Sequence, residues 1–279
     1  MNILITGAKG QLATDIVGAL KDEKDINLLL ADIDELDITD ENKVKKYFDE
    51  NKIDMVIHTA AWTRVDDAEN NKEIVYKINV LGTKYLVDNC DKKNIPMIYF
   101  STDYVFGGEG DKPYKEDDKI NPLGYYAVTK YEGEKEVMRL KKYFILRISW
   151  VFGKNGNNFI NTMLRLSETH DTLTVVNDQV GSPTYTVDVA SVIKQFVRSD
   201  KYGVYHVTNE GYVSWADFAR EIFKKANKNV KVIDVTTEEY NAKAMRPKNS
   251  RLDKSKLREN GFTPLPTWED ALDRYLRSL

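Results

Sequence analysis

The chain has 279 residues, with 41 Lys and Arg against 44 Asp and Glu for a formal net charge of -3, and a single cysteine. This length can bury one large core or two modest ones. The near-neutral charge gives no general pull toward nucleic acid or an anionic membrane, and one cysteine excludes both a disulfide framework and a cysteine-based metal site.

The first apolar run, Asn2-Ile3-Leu4-Ile5-Thr6, predicts a buried strand. It leaves no room ahead of it for a secretory signal, and no run approaches the roughly 18 apolar residues of a membrane span, so a soluble cytoplasmic protein is expected. Gly7-Ala8-Lys9-Gly10-Gln11-Leu12-Ala13 follows, then an amphipathic helix to about Lys21. Strand, glycine turn and helix in this order are the setting of a dinucleotide fingerprint. The spacing is Gly-x-x-Gly-x-x-Ala. Gly7 serves the tight turn, Gly10 lets a pyrophosphate approach the helix start, and Ala13 replaces the glycine that packs helix on strand. The second strand, from Ile26, ends at Asp32, about 20 residues beyond the glycines, where a carboxylate accepts from ribose hydroxyls and repels a ribose phosphate. No Lys or Arg follows until Lys43, which favours NADH while leaving NADPH possible. Asp37 and Ile38 lie in a loop expected near the adenine, with Thr39 or Asp40 capping the next helix.

Helices and apolar strands then alternate. A helix is expected over 42–51, a strand over Ile53–His58, a long helix over Lys72–Asn94 containing Asn79 (expected at the cofactor), Gly82, Thr83 and a packed Cys90, and a strand over Ile95–Ser101. After the third strand, Ala60, Ala61, Trp62 and Thr63 stand where backbone can pass close to a cofactor. A helix carrying Tyr126 and a strand over Tyr143–Ser149 complete the pattern. This alternation specifies an α/β fold, a Rossmann-like doubly wound parallel sheet over residues 1–150. Residues 151–279 read as a smaller α/β unit with long loops, some of its segments free to return to the main sheet. Those loops should roof the carboxyl ends of the strands, where ligands of open α/β sheets bind.

Two features carry chemistry. Tyr126 and Lys130, four apart on one helical face, place a phenol beside an ammonium. A free phenol titrates near about 10, and an adjacent positive charge is expected to lower that value and make the group a proton donor and acceptor for a carbonyl/alcohol pair. Thr102, at the end of the fourth strand, can donate to a substrate oxygen beside that phenol, with Asp103 one step further out. Alone, each feature is commonplace: an i, i+4 pair on a solvated helix, or a strand-end hydroxyl in a turn. Together with the glycine turn they define a redox site.

The segments Ser-Thr-Asp-Tyr-Val-Phe (101–106), Tyr-Ala-Val-Thr-Lys (126–130) and Arg-Ile-Ser-Trp-Val-Phe-Gly (147–153) resemble the extended short-chain dehydrogenases/reductases. With Gly-Asn-Asn-Phe (156–159), Asn-Asp-Gln-Val-Gly-Ser-Pro-Thr (177–184) and Arg-Pro-Lys-Asn-Ser-Arg-Leu (246–252), the resemblance narrows to the dTDP-4-dehydrorhamnose reductase family and runs nearly end to end. It implies Tyr126 as proton donor, Lys130 holding the nicotinamide ribose and Thr102 tuning the phenol. It places Gln11, Leu12, Asp32, Asp37, Ile38, Ala61, Trp62 and Thr63 against the cofactor, and Thr102, Asp103 and Trp150 against a dTDP-linked 4-keto-6-deoxy sugar. Asn158 is expected at the substrate as well, and Arg246 and Arg251 are candidates for its phosphates. Trp62 and His58 depart from the family pattern. Some relatives hold Mg2+ between subunits; Asp15 and Glu269 fall near two such positions, but Val187 stands at a third, and no metal is predicted. A monomer or homodimer is expected. Two other readings compete: an epimerase or dehydratase of the same superfamily, against which the absence of a Glu after Asp103 argues, and a non-catalytic subunit, against which the intact Tyr126, Lys130 and Thr102 argue.

Overall fold

The inner apolar runs become strands buried on both faces, as a parallel sheet with helices on each side requires, while the edge run Asn27–Ala31 stays partly exposed. The computed structural model describes residues 1–279. Its central sheet comprises β1 (Asn2–Thr6), β2 (Asn27–Ala31), β3 (Met55–His58), β4 (Met97–Thr102), β5 (Tyr143–Ile148) and β6 (Gly203–His206). They are all parallel, in the spatial order β6-β5-β4-β3-β1-β2. The chain steps from β1 out to β2, then crosses back to β3 on the other side of β1. The crevice above the β1/β3 junction is therefore the switch point at which such sheets bind ligands.

Two helices, Gln11–Leu20 and Thr186–Phe196, cover one face around Ile16, Val189 and Phe196. On the other face, Glu41–Glu50 and Thr83–Lys93 close over Val44, Phe48, Leu86 and Tyr99. Asp40 caps the former helix by accepting from the amides of Asn42 and Lys43 at 3.0 and 3.1 Å. The single cysteine, Cys90, is buried in that second core, where burial pushes its thiol up and leaves it a packing group.

The C-terminal half divides. Helix Thr186–Phe196 and β6 return to the main sheet, with Gly203 opposite Phe144 of β5, and Leu257 and Phe262 join the same core. The remainder forms its own core around Phe152, Phe218, Trp268 and Tyr275, built from helices Phe159–Leu166, Trp215–Lys225 and Trp268–Ser278. A two-stranded parallel sheet, Thr172–Val176 with Lys231–Val235, lies beside it. Ser214 caps Trp215–Lys225, accepting from the Asp217 amide at 3.0 Å.

The long helix expected over Lys72–Asn94 is not one regular helix. Lys77–Gly82 adopts a π-helical turn between α-helical segments Lys72–Tyr76 and Thr83–Lys93. A Cβ at Gly82 would press into Ile38, and buried Asn79 turns its amide onto the loop after β3, so tertiary demands at two points widen the turn.

Candidate active site

Four loops converge on the switch point. Gly7 has φ +66° and lies so close to Ala60 that a Cβ there would come within 2.8 Å of the Ala60 backbone; only glycine fits this turn. Gly10 then caps helix Gln11–Leu20 without any side-chain hydrogen bond, leaving the first amides of the helix free for an anion. The fourth strand ends in Ser101 and Thr102, both buried. Helix Tyr125–Val137 starts where the Glu69 carboxylate accepts from the Tyr125 amide at 2.7 Å, a favourable charge at a helix N-terminus.

These elements enclose a cleft of about 690 Å³. Gly10, Gln11 and Leu12 from the glycine turn, Ala61 and Thr63 from the loop after β3, and Thr102, Asp103, Tyr126, Lys130 and Trp150 all line it. A separate cavity of about 550 Å³ under the loop 107–121 is walled almost wholly by polar loop residues and holds no comparable set.

The electrostatics differ from the sequence expectation. Burial, then the Asp103 carboxylate, raises the Tyr126 phenol above its ordinary value, and the Thr102 hydroxyl offsets only part of this. Burial takes Lys130 down to about 7, with Glu134 opposing. The reason is that Lys130 is buried and Tyr126 half-buried in the cleft wall. Desolvation penalises phenolate and ammonium alike, and here it outweighs the benefit of their proximity. Tyr126 is therefore protonated at neutral pH, which is the form that gives up a proton. Its ring meets Tyr104 edge-on at 6.3 Å.

Asp103 is 2% exposed; its Oδ1 accepts from Thr102 Oγ1 at 3.0 Å, while Oδ2 has no partner. Burial raises its pKa to about 6, and the hydroxyls of Ser250 and Thr102 lower it only in part. An acid with a raised native pKa binds its proton more tightly when folded. It contributes stability below the unfolded value near about 4 and withdraws it as pH rises through 6. Asp103→Asn should therefore stabilise the protein by about 3 kcal/mol at pH 8 and by little at pH 4. Chemical denaturation at the two pH values checks this; an equal effect at both would show that Asp103 carries no such penalty.

Trp150 occupies the left-handed region at φ +47°, a costly conformation for a bulky residue and one found at functional sites. It is held by stacking on Trp215, ring centroids 3.5 Å apart, and by Gly181, where a Cβ would strike the indole at 2.9 Å. Trp215 thus becomes part of the cleft wall. Sequence reading missed it, as it missed Ser101, Tyr104 and Arg64; an aromatic residue directly after the Ser214 cap was its only local signal.

Several of the other expected residues are not among those that line the cleft. Ile38 points into the core against Gly82, and Asp37 closes a local turn by accepting from the Thr39 amide and hydroxyl at 3.0 and 2.7 Å. Asn79 is buried and acts on the loop rather than the cleft: its Oδ1 accepts from the Trp62 amide at 2.8 Å. Trp62 itself turns aside, its indole donating to the Arg64 carbonyl at 3.0 Å under the Arg64 guanidinium. Gly7 and Ala60 build the turn without facing the cleft. Asp32 sits at the carboxyl end of β2, accepting from the Lys9 and Ile33 amides. Asn158 is a helix cap, accepting from the Asn161 amide at 3.0 Å and donating to the Gly153 carbonyl at 2.9 Å; it reaches the site only through Gln11, at 3.4 Å. Arg246 is bound to Asp66 at 2.6 Å, fastening the tail loop to the helix after β3, and Arg251 donates to Asn249 Oδ1 at 3.0 Å. Asp15 accepts from the Thr186 hydroxyl, and no cluster of three or more His, Cys, Asp or Glu side chains suits a metal ion. No helix is long and apolar enough to cross a membrane.

A doubly wound sheet with a glycine turn at its switch point, and a Tyr-x-x-x-Lys helix facing a strand-end threonine, is the architecture of the short-chain dehydrogenases/reductases. The family model described as the RmlD substrate binding domain matches residues 1–279, and the chain belongs to that family. It is 42% identical to a dTDP-4-dehydrorhamnose reductase of Aggregatibacter actinomycetemcomitans, over 97% of this chain and 96% of that one. Among solved structures it superposes on a dTDP-4-dehydrorhamnose reductase of Clostridium acetobutylicum with a TM-score of 0.97 and 42% identity, covering 100% of this chain and 99% of the other. The Bacillus anthracis dTDP-4-dehydrorhamnose reductase, solved in complex with NADP, gives a TM-score of 0.95 at 40% identity, with 100% and 99% covered.

Proposed function

We infer that this chain is an NAD(P)H-dependent oxidoreductase that reduces the 4-keto group of a dTDP-linked 6-deoxy-hexulose, converting dTDP-4-dehydrorhamnose to dTDP-L-rhamnose. The observation that carries the reading is the meeting of Tyr126, Lys130 and Thr102 with the uncapped start of helix Gln11–Leu20 in one cleft. The names of the full-length relatives support the substrate.

The residues present fit a nicotinamide dinucleotide. The free amides after Gly10 suit its diphosphate, Asp32 its adenosine ribose, and Lys130 the ribose next to the nicotinamide. When bound, the cofactor supplies the hydride. The chain supplies the rest. Thr102 and Asp103 orient the sugar oxygens, Trp150 and Trp215 offer a flat wall for the sugar or base, and Tyr126 gives its proton to the developing alkoxide. Lys130 then stabilises the phenolate, and a buried site strengthens each of these electrostatic terms. A homodimer or monomer in the cytoplasm suffices, and no step calls on a membrane or nucleic acid.

A panel of nucleotide-linked 4-keto-hexoses, followed by loss of reduced-cofactor absorbance, tests the assignment. Turnover is expected with the dTDP-linked 6-deoxy sugar; no turnover with any 4-keto sugar nucleotide would refute it. In the same assay kcat/KM should favour NADH, because Asp32 repels a ribose phosphate and the nearby Lys9 is paired with Asp34 at 2.9 Å. A strong NADPH preference would overturn that use of Asp32.

A further inference from the structure

Lys130 is 4% exposed, yet no carboxylate lies within ion-pair distance of it anywhere in the chain. The buried acid nearest along its own helix, Glu134, is committed elsewhere: its two oxygens accept from Arg147 Nε and Nη2 at 2.9 and 2.8 Å. What the ammonium faces is an aromatic ring. Lys130 Nζ lies 4.1 Å from the centroid of Tyr99, a fully buried β4 residue. That ring is fixed in three ways. Its hydroxyl donates to the Lys130 carbonyl at 3.2 Å, and its flank meets the His58 ring at 5.7 Å. Gly133 leaves the space it needs, since a Cβ there would collide with the Tyr99 hydroxyl and crowd the Asn79 carbonyl at 2.9 Å.

We propose that Tyr99 is a positioning residue for Lys130: its π face, rather than a carboxylate, holds the ammonium in place at the cleft and offsets part of what burial costs its charged form. The design has a clear rationale. A carboxylate salt-bridged to Lys130 would hold the ammonium at the acid and cancel the positive charge that a phenolate needs. A ring face attracts the cation while carrying no net charge and accepting no proton. The charged and titratable groups around Lys130 are consistent with this division. Tyr126 and Glu134 share its helix, Arg147 on β5 neutralises Glu134, and His58 on β3 is kept uncharged, down to about 3, by burial and then by Lys130 itself. Between strands and helix, Tyr99 is the group that touches the ammonium.

The inference rests on the reductase reading only for its meaning; the test is independent of turnover. Phenylalanine and its mono-, di- and trifluorinated analogues would be incorporated at position 99 in the full chain. These rings keep one shape while progressively weakening the π face. The Lys130 side chain would be titrated by 13C NMR with labelled lysine, using Lys130→Arg to assign the signal. The midpoint should fall stepwise along the series, by about one pH unit overall, and the alkaline limb of the kcat profile should move with it. A midpoint constant across the series would overturn the proposal, even if the enzyme turns over normally. Absence of turnover in the unmodified protein, with the stepwise midpoint intact, would instead count against the reductase assignment alone. Loss of fold in the Phe variant shows as loss of the near-ultraviolet dichroism, and in that case the series is read from tyrosine, 3-fluorotyrosine and 3,5-difluorotyrosine, with the same two outcomes.

Discussion

Tyr126→Phe should lower kcat by about 10²–10⁴ while leaving cofactor affinity unchanged. The substitution removes one oxygen and keeps the ring that meets Tyr104 edge-on, so the wall of the cleft survives. The free helix-start amides at Gly10 to Leu12 belong to a different element from the phenol and should not respond. What is lost is the proton donor. Burial and the Asp103 charge hold the Tyr126 phenol up, so at neutral pH the proton is present and ready for a new alkoxide. Without it, the alkoxide must be protonated by water, and the loss falls on the chemical step. Single-turnover kinetics with saturating reduced cofactor, beside a fluorescence titration of cofactor binding, separates the two effects. Unchanged turnover would remove Tyr126 from the mechanism; weakened cofactor binding would mean that the phenol holds the nicotinamide end rather than the proton.

The part of the site legible in the sequence is the part encoded on single elements. Gly7 and Gly10 lie in one turn, Tyr126 and Lys130 on one helical face, and Thr102 at one strand end, so spacing alone places them. The family segments extended this to Asp103 and Trp150, both of which line the cleft. What spacing could not give is direction and desolvation. Ile38 lies in the loop expected near the adenine, but its side chain turns into the core, where Gly82, far along the chain, leaves a slot for it. Arg246 was expected free for phosphate, but Asp66, 180 residues earlier, holds it. The lowering of the Tyr126 phenol by Lys130 is a sound inference for an exposed helix. It fails here because the fold takes Lys130 fully and Tyr126 partly out of water, and burial is set by the whole fold. Likewise the sheet acquires its sixth strand from Gly203–His206, a segment whose local pattern is the same whether it pairs with β5 or with a strand of its own half.

The largest effect on stability is expected at Arg147, a charged residue 1% exposed on β5. Its guanidinium spends Nε and Nη2 on Glu134 and Nη1 on the Glu116 carbonyl at 3.0 Å, with the Phe106 ring beside it. Each of its three nitrogens donates, and Glu134 is wholly buried. Arg147→Met leaves that carboxylate in a dry interior with no counter-charge. Breaking a buried pair in this way costs about 3–5 kcal/mol, and for a chain of this size the midpoint of thermal unfolding should fall by roughly 10 °C. Glu134→Leu alone strands the guanidinium and should cost a similar amount. The informative comparison is the double variant. If the penalty is mainly the unpaired charge, Arg147→Met with Glu134→Leu removes both ions, and the protein should recover most of the loss. Thermal and denaturant unfolding of the three variants decides the matter. Additive losses in the double variant would mean that the pair is valued for packing and for its bond to Glu116, not for mutual neutralisation. Recovery of stability with a displaced Lys130 titration would show instead that the ion pair is retained because Glu134, facing Lys130 along the same helix, contributes to the field at the active site rather than to the fold.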